Sequence, residues 1–245
     1  MPMIIINADD WGRTPAETDA ALQCHHEGRI TSATAMVFME DSERAADLAK
    51  RVGIDVGMHL NLTQPFAVAV GDDLLVRHHS RIVTHLTRRK YGFLVYHPGL
   101  RQAFKYVYEA QLREFVRLYG QRPSHVDGHH HKHLCANILF GDVIPGGEKV
   151  RRNFYFWPGE KSAANRAYRG LTNRLLMRRY HTTDYFFALS QCLKGDRLER
   201  VLSLARTHVV ELMTHPADDR ERARLLSDDH MHQLARIEKG SYALL

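Results

Sequence analysis

Ile4-Ile-Ile-Asn-Ala-Asp-Asp10 is the stretch on which the fold turns: three β-branched residues run directly into an amide and two carboxylates. A continuous apolar run of this kind reads as a strand covered on both faces, the hallmark of parallel sheets layered with helices. The polar residues at its end fit that reading, because parallel strands bring their C-terminal ends to one mouth.

Outward from this strand, the chain alternates. Thr14 to about Gly28 has helical spacing, with Thr14-Pro15 as cap and first turn and Gly28 as stop. Thr31–Val37 reads as a second strand, Ser42–Val52 as an amphipathic helix and Asp55–Leu60 as a third strand. Residues 64–100 lack clean periodicity and read as an insertion with one short helix. A helix is predicted over Gln102–Tyr119, a strand over His125–Asp127 and a short helix over Leu134–Phe140. Lys149–Arg152 follows as a fifth strand, Ala163–Tyr180 as a helix and Thr182–Phe187 as a sixth strand. Arg197–Arg206 is a helix, His208–Met213 a seventh strand and Asp219 to about Glu238 a final helix. This is an α/β pattern. It predicts one domain over residues 1–245, a closed or nearly closed (β/α) barrel of about seven parallel strands. An open doubly wound sheet is the alternative, although no Gly-x-Gly-x-x-Gly follows the first strand.

The 245 residues, 44% hydrophobic and 25% charged, suit a globular chain with a full core. Lys plus Arg exceed Asp plus Glu by 34 − 28 = 6. Much of that excess is local, in Arg77, Arg81, Arg88, Arg89 and Lys90 and in Arg174, Arg178 and Arg179. Such runs read first as solvated faces, and nucleic acid is not an expected partner. Cys24, Cys135 and Cys192 form no Cys-x-x-Cys and suggest a reducing compartment. No signal peptide or membrane-spanning segment is evident, so a soluble, cytoplasmic protein is expected, with a homodimer left open.

Histidine carries the chemical signal: there are 17, and four lie within His129–His133. Polar residues also recur at strand ends. Asn7, Asp9 and Asp10 follow the first strand, and His59 and Asn61 end the third. His125, Asp127, His129, His130, His131 and His133 surround the end of the fourth. Arg151 ends the fifth, and Glu211 and His215 accompany the seventh. Two imidazoles and one carboxylate make a three-ligand metal site with positions left for water and substrate. Of two adjacent carboxylates, one can ligate while the other orients or deprotonates the water. His215 is placed to protonate a leaving amine.

Four segments carry a family resemblance: Ile5-Ile-Asn-Ala-Asp-Asp-Trp-Gly12, Gly57-Met-His-Leu-Asn-Leu-Thr63, Pro123-Ser-His-Val-Asp-Gly-His-His-His-Lys-His133 and Glu211-Leu-Met-Thr-His-Pro216. Thr31-Ser-Ala-Thr-Ala-Met36 and Gly240-Ser-Tyr242 add to it. In these the chain resembles the YdjC-like family, which includes chitooligosaccharide deacetylases and hopanoid-associated deacetylases. The resemblance implies an irregular barrel related to polysaccharide deacetylases, and removal of an N-acetyl group from an amino sugar or oligosaccharide. It implies Asp10, His59 and His129 as metal ligands, Asp9 as base and His215 as acid. The implied metal is magnesium, while ligand softness also admits zinc, manganese or cobalt. The family arginine corresponds to Arg151 or Arg152, and Arg151 is expected to hold Asp9 ionised. Trp11, Asn61 and His133 are named as substrate contacts, with Phe66 and Trp157 as further stacking candidates, although core packing is the favoured reading of each aromatic. Trp11 stands where the family usually has Phe, residues 64–100 match poorly, and the segment between His133 and Arg151 is short. Two other readings are a metal-dependent hydrolase of a different amide or a phosphoester, and a non-enzymatic binder of anions or nucleic acid.

Overall fold

Six strands form one parallel sheet in a computed structural model that describes residues 1–88 and 90–245. They are β1 (Met3–Trp11), β2 (Ser32–Ala35), β3 (Asp55–Leu60), β4 (Val126–Gly128), β5 (Tyr185–Ala188) and β6 (Val209–Thr214), in the order β4-β3-β2-β1-β6-β5. The helices are α1 (Pro15–His26), α2 (Ser42–Val52), α3 (Asp73–Thr87), α4 (Arg101–Tyr119), α5 (Ala136–Phe140), α6 (Ala163–Met177), α7 (Arg197–Ala205), α8 (Asp219–Leu226) and α9 (Asp228–Leu234). Among the described residues, no helix is long and apolar enough to cross a membrane. Arg89, part of the first basic run, lies outside the described residues.

The period-two geometry of a strand explains how this sheet serves two cores. Along β1, Ile4, Ile6 and Ala8 turn outward into the main cluster beneath the helices. Met3 and Ile5 turn inward, where they pack with Tyr242. Asn7 and Asp9 continue that inner row toward the C-terminal end and hydrogen-bond to Ser32 and Thr34 of β2. The same division holds in β6, whose Val210 and Leu212 join the outer cluster while Glu211 meets Tyr242 inside. The inner face is thus apolar at one end and charged at the other.

Three expectations need correction. The fifth predicted strand, Lys149–Arg152, is not a strand, so the sheet has six strands and not seven. Residues 148–151 still lie between β4 and the approach to β5: Arg151 N donates to Val126 O, and Val150 N to His181 O. They make only isolated bridges, Val150 to Val126 and Lys149 to His181, and the Arg151 side chain is buried in the interior. The single C-terminal helix is two, broken at Ser227, whose hydroxyl accepts from His230 N and so caps α9. Residues 64–100 hold a 15-residue helix, α3, started by Asp72, whose carboxylate accepts from Leu75 N.

Candidate metal centre

Asp10 sits at an irregularity in β1, where the register against β2 shifts between Ala8 and Trp11. Its φ of 66° lies in the left-handed region that non-glycine residues seldom occupy. That turn aims its carboxylate across the strand ends at two imidazoles. Oδ1 is 3.4 Å from His59 Nε2 and 3.0 Å from His129 Nδ1. All three side chains are buried, and Oδ1 has no hydrogen-bond donor aligned on it. A buried carboxylate oxygen without a donor, facing two ring nitrogens, is what a cation site needs. Ligand atoms ~2.1 Å from one ion and at ordinary coordination angles are ~3.0–3.4 Å apart. The donor set therefore fits a divalent ion. The second oxygen of Asp10 is 3.1 Å from Arg13 Nη1.

Behind these residues lies a second layer. Nδ1 of His59 donates to Asp127 Oδ1 at 2.7 Å, which leaves Nε2 free to turn its lone pair toward Asp10. A carboxylate that orients a ligating imidazole in this way is a recurrent feature of metal sites. Burial alone would lower the pKa of His59, but Asp127, Asp9 and Asp10 outweigh it and raise it to about 9. For Asp10 burial opposes ionisation, yet His129 and His59 bring it down to about 2.

Arg151 is the hub of the interior. It is fully buried, and its guanidinium grips Asp9 with two bonds of 2.7 and 2.8 Å. It also pairs with Asp127 at 2.5 Å and with Glu211 at 2.7 Å. Arg152 instead turns outward to the carbonyls of Thr183 and Asp184, so Arg151 occupies the central place. Asp9 is costly to bury as an anion, but Arg151 and His59 hold its carboxyl far below the usual range. Glu211 goes the other way: burial raises it to about 7 in spite of Arg151.

Asp9, Asp10 and His215 line one small cavity of about 160 Å³. His215 follows β6, and its side chain is 40% exposed with Nδ1 3.8 Å from Glu221. Burial would lower its pKa, but Glu221, Asp9 and Asp10 outweigh it and raise it. One cavity thus brings together a carboxylate held ionised and an imidazole that favours its proton.

The expected substrate contacts are placed otherwise. Trp11 is fully buried and donates from its indole to Ala45 O, so its ring packs in the core. Asn61 is also buried, and it ties down its own loop through Gln64 O and the amides of Thr63 and Gln64. His133 is buried beneath the site, with Nε2 3.0 Å from Arg151 O. Phe66 stacks on His79, and Trp157 stacks on Phe187. The residues missed at first are Asp127 as partner of His59, Glu221 behind His215, and the pair Glu211–Tyr242, where the phenol donates to Glu211 Oε2 at 2.6 Å. Their signal was a polar residue at an inward position of a buried strand or at a helix start.

Comparison with known proteins bears on the same region. The family described as YdjC-like protein matches residues 3–241. A carbohydrate deacetylase of Mus musculus is 27% identical over 251 residues, covering 87% of this chain and 77% of its own. A chitooligosaccharide deacetylase of Proteus mirabilis is 31% identical over 146 residues, covering 56% of this chain and 52% of its own. A solved structure, described as a cellobiose-phosphate cleavage protein of Enterococcus faecalis V583, aligns with a TM-score of 0.66. The two are 22% identical, with 98% of this chain and 97% of the other covered, a likeness of fold.

Proposed function

The chain belongs to the YdjC-like family, and from that premise we propose that it is a metal-dependent hydrolase that releases acetate from an N-acetylated amino sugar. Asp10, His59 and His129 would hold the ion. The observation that carries this reading is the buried Asp10 Oδ1, without a donor and facing His59 Nε2 and His129 Nδ1 at 3.4 and 3.0 Å. A divalent ion there supplies Lewis acidity for the acetamide carbonyl and lowers the pKa of a water. The names of the mouse and Proteus mirabilis relatives support the sugar amide as substrate.

The residues around the ligands divide the proton work. Asp9 lines the cavity with both oxygens fixed by Arg151, and it accepts the proton of the attacking water. His215 faces the same cavity and carries the proton that the departing amine needs. Glu221 holds that residue through two contacts, accepting from its backbone amide at 2.9 Å and lying 3.8 Å from its ring. Asp127 keeps His59 in the tautomer that presents Nε2.

The test is elemental analysis of purified protein together with acetate release from N-acetylglucosamine oligomers. Asp10→Ala, His59→Ala and His129→Ala are each expected to lose both the ion and the activity. Full turnover by any of them in metal-free form would remove the ligand assignment.

A further inference from the structure

Of the second basic run, Arg174 lies on α6 and faces a groove apart from the site above. A groove of about 520 Å³ lies between α6 and the segment after Arg151. Arg152, Arg166, Arg169 and Arg174 line it, and no carboxylate does. Nearby arginines outside the groove are paired, Arg179 with Asp142 and Arg197 with Glu160. None of the four groove arginines has such a partner among the described residues. Two of them are fixed in place and not left to wave in solvent. Arg169 donates to Asn165 Oδ1 at 2.8 Å and to Asn153 Oδ1 at 2.5 Å, and its guanidinium lies 5.0 Å from the Phe156 ring. Arg152 is tied to Thr183 O, while its buried Nε has no acceptor. Burial lowers the pKa of both, and at Arg152 the nearby Asp184 acts against it.

Arg152 on one wall and Arg166, Arg169 and Arg174 on the α6 wall can meet the two phosphoryl groups of a diphosphate from both sides. Arginine's planar fork suits phosphoryl oxygens, which it can grip two at a time. The groove is not isolated. It shares Phe154 and Arg169 with a neighbouring cavity of about 320 Å³, whose wall includes His130 and His131. The His130 ring lies tilted against His129, with centroids 4.0 Å apart. A ligand spanning the proposed ion site and the arginines would pass along His130, the neighbour of His129 in sequence and in space.

We propose that this groove binds a diphosphate, and that the substrate is an N-acetylated amino sugar carrying a diphosphate at the end remote from its acetamide. This specifies the substrate class of the proposed deacetylase and rests on that reading for its second half. The diphosphate binding stands on the groove alone. A soluble nucleoside diphosphate and a lipid diphosphate offer the same group, and Met177 adds an apolar side chain to the groove wall.

Calorimetric titration of the whole protein with inorganic pyrophosphate tests the binding. Wild type is expected to bind, more weakly as salt rises. Arg166→Gln combined with Arg174→Gln is expected to weaken binding by at least about tenfold, since charge-assisted hydrogen bonds are lost. Both positions are on the outer part of α6, and an unchanged far-UV spectrum and melting temperature would confirm that the double variant folds. No binding by wild type, or equal binding by the folded double variant, overturns the proposal. Acetate release is then compared among N-acetylglucosamine, its uridine diphosphate conjugate and its polyprenyl diphosphate conjugate. A higher kcat/KM for either conjugate, lost in the double variant, supports the substrate class and names the carrier; equal values for all three overturn it. Pyrophosphate binding with no acetate release from any substrate would sink the deacetylase reading and leave the anion site. Acetate release from the neutral sugar without pyrophosphate binding would do the reverse.

Discussion

Arg151 and the acids around it set the charge of the interior. Asp9, Asp127 and Glu211 all contact its guanidinium, and Asp10 lies beside Asp9. Four buried carboxyls against two permanent cations, Arg151 and the Arg13 beside Asp10, leave an excess of negative charge. Protons make up part of the difference, on Glu211 with its pKa at about 7 and on His59 at about 9. A divalent ion would supply the charge instead and displace the His59 proton, since a ligating nitrogen must be bare. Two substitutions separate the roles. Asp9→Asn is expected to retain the ion while turnover falls at least about 10²-fold, the low end for lost acid–base catalysis. Near-normal acetate release would place the base elsewhere. Asp127→Asn removes the charge behind His59, and metal affinity, measured by competition with a chelating dye, is expected to fall about 10- to 100-fold. Undiminished affinity would mean that Asp127 serves only to fix Arg151.

At the level of the element, the inner row of each strand needs its small residues as much as its polar ones. A Cβ on Gly57 of β3 would lie 2.4 Å from the His125 ring. That ring cannot easily give way, being stacked on Tyr242 at 3.7 Å between centroids. Gly57→Ala is therefore expected to cost about 1–3 kcal/mol, as overpacked cores do, read as a lower denaturant midpoint. An unchanged midpoint would show that the ring moves freely. Gly57 also indicates why part of the structure was legible in advance and part was not. The boundaries of α2 and β3 follow directly from apolar spacing. So do the polar strand ends, because topology alone carries them to one mouth. The roles of Asp127 and Glu211 depend on which way a short strand faces, and three residues of β4 set no clear period. Lys149–Arg152 misled for a related reason: a charged residue can be the one pointing inward, and four residues can bridge two neighbours without forming a ladder. Trp11, Asn61 and His133 misled because nearness to a ligand in sequence does not give a side chain access to the cavity.

For the whole molecule, the histidines that do not ligate govern the response to acid. His79, His125, His133 and His230 are all buried, and burial lowers each from 6.5 to about 4. Nothing is lost from these four above pH 6.5, where both folded and unfolded chains leave them neutral. As pH falls from 6.5 toward 4, the unfolded chain takes up protons that the folded chain refuses, and stability falls with it. Each such group contributes a slope of up to about 1.4 kcal/mol per pH unit. Glu211 opposes them between 4.5 and about 7, since there the folded chain holds its proton more firmly. His59, raised to about 9, likewise stabilises the metal-free fold below 6.5 and loses that contribution as pH climbs to 9. Four groups outweigh one on the acid side, and His59 acts with His215, whose pKa is also raised, on the alkaline side. With chelator present, urea unfolding should therefore give a stability that peaks near neutral pH, drops steeply below 6.5 and declines gently toward 9. His230, whose two ring nitrogens both lack partners, provides the internal control. His230→Leu should flatten the acid limb by about one proton. A stability level from pH 6.5 down to 4.5, or a limb that His230→Leu leaves unaltered, would mean that these imidazoles gain protons in the folded state.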